Sequence, residues 1–240
     1  MIGWSNLLST DLDIQKKIGI LGGTFDPPHL GHLKLAMHFA KVLHLDVLLL
    51  IPSGEPWQKG SGISPAEIRL QLTEAAGIDL ARACLYLKIP TQIGIDRIEI
   101  DRSGPSYAID TAQALRERFG PKASLTWLMG ADALLNLPTW NSWDQLLSYL
   151  NFAVASRPHH ELADEMNLEV KALLAKYQCI DPEALEKSPF GRIYIDNSLL
   201  VDLSSTDLRK QLKSASPSAI ASEHIPSHAL EIITNLGLYK

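Results

Sequence analysis

Cysteine is nearly absent from this 240-residue chain: Cys84 and Cys179 stand far apart and form no CxxC pattern. Each therefore reads as a buried, reduced thiol rather than part of a disulfide framework. An excess of basic charge is also missing. With 22 Lys and Arg against 27 Asp and Glu, the net charge is -5, which argues against a long nucleic acid partner. A small anionic substrate needs only a local cationic pocket and stays compatible with this balance. Long apolar runs are lacking too. The longest aliphatic stretch, Val47 to Ile51, is far short of the ~20 residues that cross a bilayer, so no membrane partner is expected. The opening residues carry Asp11 and Asp13 and no basic start, which makes a poor signal peptide. Residues 1–16 read as an N-terminal extension and the expected setting is cytoplasmic. There is no repeat and no low-complexity linker. At 46% hydrophobic content, residues 17–240 have material for one sizeable core, read as a single domain.

Short aliphatic runs alternate with amphipathic stretches. Ile18 to Leu21 and Val47 to Ile51 have no polar interruption, as parallel strands buried on both faces require. Between them Leu33, Ala36, Met37, Ala40 and Leu43 keep helical spacing, completing a βαβ unit. Ser64-Pro65-Ala66-Glu67 reads as a capping box with proline at the first helical position, ahead of Ile68, Leu72 and Ala75. Strands are expected at Leu85 to Ile89, Ile95 to Ile100, Leu125 to Met129, Phe152 to Ala155, Arg192 to Ile195 and Leu199 to Leu203. Helices are expected from Tyr107 to Phe119, over Ala131 to Leu150 with a break around Pro138, from Leu162 to Tyr177, from Thr206 to Leu212 and from His228 to Asn235. The alternation gives an α/β fold, a doubly wound, mostly parallel Rossmann-like sheet with a small C-terminal helical part. Ligands in such folds sit at the carboxyl ends of the strands.

The first strand ends on Gly22-Gly23, where the backbone can approach an anion and offer N–H groups to it. Gly31 and His32 then open a helix whose N-terminus favours negative charge. His29 and His32, three residues apart, can face the same side of one turn. Two imidazoles over a phosphate cradle can donate hydrogen bonds to oxygens that gain charge in phosphoryl or nucleotidyl transfer. No protein nucleophile is needed when the acceptor is itself a phosphate. The segment matches neither GxxxxGK[ST] nor GxGxxG. An HxxH pair could be half of a zinc site, but no third ligand stands at useful spacing, so no protein-held metal is assigned. A second cluster, Leu203-Ser204-Ser205-Thr206-Asp207-Leu208-Arg209, is readable unaided: Ser205 as a helix cap, Thr206 in the first turn, and Arg209 on the same side one turn later. A helix N-terminus with an arginine suits a triphosphate.

The run from Gly22 through Thr24, Phe25 and Asp26 to His32 resembles the signature of bacterial nicotinate-nucleotide adenylyltransferases, within the HxGH nucleotidyltransferase superfamily. Residues 203–209 resemble that superfamily's late SSTxxR motif. The resemblance extends from Ile18 to Tyr239. Pro105-Ser106-Tyr107 is similar to the segment holding the nicotinate end, and Gly130-Ala131-Asp132 to the element near adenosine and ribose. Leu137 to Trp140 is similar to the element whose tryptophan stacks on the pyridine ring, and Ser156-Arg157-Pro158 to a loop near the phosphates. Taken singly, Trp140 reads as packing and Asp132 as a helix N-cap. Two positions depart from the family pattern. Pro56-Trp57-Gln58-Lys59 stands where a histidine is common, and Ala108 stands where some members place threonine.

The resemblance implies adenylyl transfer from ATP to nicotinate mononucleotide by in-line attack on the α-phosphorus, with Mg²⁺ carried in by ATP. His29, His32 and Arg209 would act on the phosphates. Gly22, Gly23, Thr24, Phe25, Gly31, Gly130, Asp132, Ser205 and Thr206 would bind ATP. Asp26, Lys59, Ser106, Tyr107, Thr111, Trp140 and Arg157 would hold the mononucleotide, Thr111 or backbone N–H groups replacing the hydroxyl missing at Ala108. Other acceptors are the amide, nicotinamide mononucleotide, or another phosphorylated compound, although Tyr107 and Trp140 suit a flat ring. A non-catalytic nucleotide sensor is the reading from another class, and a homo-oligomer is left open.

Overall fold

The computed structural model describes residues 15–57, 62–156, 165–199, 205–214 and 223–239, the side chains of 207, 213 and 214 aside. The expected extension lies almost wholly outside these residues, as do Lys59, Arg157 and most of the strand expected at Leu199 to Leu203.

Seven strands form one sheet: β1 (Lys17–Gly23), β2 (Val47–Pro52), β3 (Gln92–Ile95), β4 (Ser124–Gly130), β5 (Asn151–Ala155), β6 (Gln178–Cys179) and β7 (Ile193–Asp196). Their order is β3-β2-β1-β4-β5-β7-β6, and every neighbouring pair is parallel. Ile20 lies opposite Leu49 on one side and Trp127 on the other. The chain moves outward from β1 to β3 and returns to β4 beside β1, so the order reverses at the ends of β1 and β4. That crevice is where such sheets bind ligands.

Strand alternation divides the core. Ile18, Ile20, Leu49, Ile51, Leu125 and Trp127 point to one face and meet Ile109, Ala112 and Leu115 of α4 (Ala108–Phe119). Leu21, Leu48, Leu50 and Leu128 point to the other. There they meet Leu33, Ala36 and Phe39 of α1 (Leu30–Val42) and Ala76, Leu80 and Cys84 of α2 (Ala66–Tyr86). A further side of α2, Leu72 and Ala75, joins Leu212 of α8 (Ser205–Ser214) and Ile225, Ala229 and Ile233 in and before α9 (Ser227–Leu236). Each fully buried Leu or Ile is worth roughly 1.5–3 kcal/mol, so this small cluster is enough to dock both late helices on α2. Gly237, with φ 61°, ends α9.

Four expectations about local structure are corrected. Leu85 to Ile89 is not a strand, because α2 runs through Tyr86: Ala76, Leu80 and Cys84 keep one buried stripe, and Leu85 and Tyr86 lie on the exposed side. The strand expected at Ile95 to Ile100 ends at Ile95, where Asp96 Oδ1 accepts from the Ile98 N–H and opens α3 (Ile98–Asp101). The capping box is absent. Pro65 is the N-cap of α2, the Ser64 N–H is bonded to Asp26, and Glu67 pairs with Arg97. Cys179 is only half-buried, its Sγ directed at the Ile193 carbonyl, whereas Cys84 is buried as expected. After α5 (Ala131–Leu135), Pro138 lies in a 3-10 turn, followed by a second at Trp143–Ser148. The helix expected from Leu162 to Tyr177 is found as α6 (Leu168–Tyr177), where the Asn167 side chain caps the Val170 N–H, and its expected start at 162–164 lies outside the described residues. A short α7 (Glu183–Lys187) went unread in the sequence.

Candidate active site

The turn after β1 sits on the crevice floor. Gly22 is glycine for a reason beyond anion access: a Cβ there would stand 2.6 Å from the Trp127 ring. Phe25 is buried with φ 49° and lies edge-on to His32, ring centres 4.9 Å apart. His29 is the N-cap of α1 and donates its backbone N–H to His32 Nδ1 at 3.1 Å. That bond places the ring hydrogen of neutral His32 on Nε2. The two imidazoles stack with centroids 3.7 Å apart and an interplanar angle of 23°. Burial, with His224 adding to it, pushes the His29 pKa down to about 4. Burial, with His29 adding to it, holds His32 well below the usual histidine range. Both rings are therefore neutral donors near pH 7, at the positive end of a helix.

The late motif docks on this turn. Ser205 Oγ donates to the Pro27 carbonyl at 2.9 Å. The Arg209 guanidinium donates to the Asp26 carbonyl and to Thr206 Oγ1. Two segments about 180 residues apart thus form one wall, with Thr206 exposed at its edge. Asp26 does not offer its carboxylate to the crevice. It is 0% exposed, accepting from the Ser64 N–H and from the Tyr239 phenol, with Arg209 3.8 Å away.

A cavity of about 160 Å³ opens beside Gly22, Gly23 and Thr24. Its other walls include Trp57, Glu99, Ser106, Trp127 and Trp140. Trp127 and Trp140 meet edge to face at 6.2 Å. Ser106 Oγ accepts from the N–H groups of Gly54 and Glu55, pinning the segment that follows β2. Tyr107 packs on the core and meets Trp57 edge-on at 5.8 Å. Thr111 does not reach the cavity: it is fully buried and donates to Glu99 Oε1 at 2.7 Å. Burial raises the Glu99 pKa against the opposing pull of Thr111, Arg102 and Ser106. Gly130 ends β4 in open space, and Asp132 is exposed in the first turn of α5, whose N-cap is Gly130.

The largest omission from the sequence reading is Arg69, which is 1% exposed. Its guanidinium donates to the carbonyls of Ser64, Thr24, Ser53 and Gly54, joining three loops beneath the crevice. The available signal was a charged residue one place before Leu70 and three before Leu72, on the apolar side of α2.

A cytidylyltransferase-like family model matches residues 20–211. A relative from Herminiimonas arsenicoxydans, named "Probable nicotinate-nucleotide adenylyltransferase", is 33% identical over 95% of this chain and 98% of its own. A relative of the same name from Neisseria meningitidis serogroup C is 36% identical over 94% and 99%. The chain belongs to the nicotinate-nucleotide adenylyltransferase family. In fold it is similar to the Plasmodium falciparum nicotinic acid mononucleotide adenylyltransferase solved with NaAD, with a TM-score of 0.64 at 17% identity, covering 94% of this chain and 98% of that one. Among the described residues, no helix is long and apolar enough to cross a membrane. Nor do three or more His, Cys, Asp or Glu side chains gather there as a metal site.

Proposed function

We propose that this enzyme transfers the adenylyl group of ATP to nicotinate mononucleotide, giving nicotinate adenine dinucleotide and pyrophosphate. The observation that carries this reading is the docking of Ser205 and Arg209 on the turn that holds His29 and His32. A phosphate oxygen of the mononucleotide attacks the α-phosphorus of ATP, the bond to the bridging α,β-oxygen breaks, and pyrophosphate leaves with that electron pair. No covalent enzyme intermediate is needed. His29 and His32 donate hydrogen bonds to oxygens on which charge grows, the role for which neutral, oriented imidazoles are suited. Gly22, Gly23, Thr24 and the start of α1 at Gly31 offer backbone N–H groups to the reacting phosphates. Thr206 and Arg209 hold the β- and γ-phosphates, Arg209 turning from the Asp26 carbonyl to do so. Gly130 and Asp132 stand toward the adenosine, and Ser106, Tyr107 and Trp140 toward the pyridine ring. Lys59 and Arg157 are assigned to the mononucleotide on resemblance alone. Asp26, Phe25 and Thr111 act from behind, by fixing the turn and the cavity wall. Mg²⁺ enters as part of MgATP and neutralises triphosphate charge, in keeping with an ion that retains much of its water.

The amide, nicotinamide mononucleotide, is the second reading, favoured by Ala108 and by the Glu99 carboxyl on the cavity wall. A pyrophosphate-release assay with ATP and each mononucleotide separates the two. Faster turnover per unit concentration is expected with the acid. No release with either compound contradicts the proposal, and a preference for the amide moves it to the second reading.

A further inference from the structure

Trp57 is 45% exposed, a costly arrangement for the largest side chain. It is nonetheless firmly placed. Its segment is held by the Gly54 and Glu55 N–H bonds to Ser106 Oγ and by a bridge between Glu55 and Pro105. Arg69 binds the Gly54 carbonyl. Gly54 lies so close to α3 that a Cβ would stand 2.1 Å from the Glu99 carbonyl oxygen. The indole leans edge-on against Tyr107 and lines the same cavity as Trp127 and Trp140. Among the described residues lining that cavity there are three indoles and the Glu99 carboxyl, and no Lys, Arg or His. Such a wall favours an occupant that is flat and positively charged.

We propose that Trp57 is a specificity-determining residue that closes this cavity on the acceptor's ring and reads its positive charge through the indole face. The inference rests on the reading that the acceptor is a pyridine mononucleotide. In that compound the ring nitrogen is quaternary and the ring is a pyridinium cation. Adenine is flat but uncharged at neutral pH, so the same feature assigns the cavity to the acceptor rather than to ATP.

The test uses the full chain and steady-state pyrophosphate release with three proteins: wild type, Trp57→Phe and Trp57→Leu. The KM for nicotinate mononucleotide is expected to rise roughly 3- to 30-fold in Trp57→Leu, the span of cation–π interactions from exposed to desolvated. Trp57→Phe should fall between, and the KM for ATP should hold steady in both. The charge-specific readout is the 1,4-dihydro form of the same mononucleotide, whose ring is neutral. Wild type should favour the oxidised ring, and Trp57→Leu should lose most of that preference. An unchanged KM in Trp57→Leu overturns the proposal. So does an equal loss for the oxidised and reduced rings, which would leave the indole as apolar cover alone. If wild type releases no pyrophosphate with ATP and nicotinate mononucleotide, this inference and the proposed function fall together. Normal wild-type release with indifferent variants removes the inference only.

Discussion

The phenol of Tyr239 donates a hydrogen bond to the carboxylate of Asp26, 213 positions earlier, at a point where that carboxylate is fully buried. Tyr239, three residues beyond the end of α9, thereby holds the same turn whose Asp26 carbonyl receives Arg209. Desolvation and the neighbouring carboxylate both raise the phenol's pKa, so it stays a neutral donor throughout the useful pH range. Tyr239→Phe removes the donor and leaves a buried carboxylate oxygen short of a partner. A loss of about 1–3 kcal/mol in urea unfolding is expected. The KM for ATP should rise as well, because the Arg209 anchor loosens. An unchanged midpoint with unchanged kinetics would show that the bond positions nothing.

Arg69 makes a second case, from below the crevice. Four carbonyls accept from one planar guanidinium, a geometry that an ammonium group cannot reproduce. Arg69→Met leaves those acceptors unpaired in the interior, and a loss on the order of 3 kcal/mol or more is expected in denaturant unfolding. Arg69→Lys should keep the fold while lowering kcat, since Thr24 and Gly54 would lose their fixed spacing. Wild-type turnover in the lysine variant would argue that the arginine serves stability alone.

Acidification should weaken the protein through His29. Its folded pKa of about 4 lies below the ordinary value of 6.5, so the unfolded chain binds the proton more readily. The stability associated with a neutral His29 is fully present above pH 6.5 and falls as the pH drops toward 4. Urea midpoints measured from pH 7.5 to 4.5 should decline, and His29→Asn should decline less steeply than wild type. Parallel slopes for the two proteins would contradict the burial of a neutral imidazole at this position.

Much of the architecture was legible because buried parallel strands are written as unbroken aliphatic runs. Ile18 to Leu21, Val47 to Ile51 and Phe152 to Ala155 needed only that rule. The glycine–histidine turn was legible for a similar reason: Gly22, Gly23, His29, Gly31 and His32 lie within eleven residues of one another. What escaped depended on contacts between distant segments. Arg69 stands as a charge on the apolar side of α2 whose acceptors show only when Thr24, Ser53 and Gly54 are brought to it. Asp26 reads as an accessible carboxylate until Ser64 and Tyr239 close over it. Thr111 was assigned to the ligand because Ala108 lacks a hydroxyl, yet on α4 it faces Glu99 inside the wall. Leu85 to Ile89 failed for the opposite reason. Apolar composition was taken as a strand where α2 simply ends in exposed Leu85, Tyr86 and Leu87.

The paired imidazoles carry the central claim, and His32→Ala tests it most directly through kcat at saturating ATP and nicotinate mononucleotide. An oriented donor to developing charge is worth about 2.7–4 kcal/mol of barrier, so a fall of roughly 10²- to 10³-fold is expected. The KM for ATP should change far less, and thermal unfolding should remain cooperative. A kcat within a few-fold of wild type would contradict the assignment of His32 to the transferring phosphate.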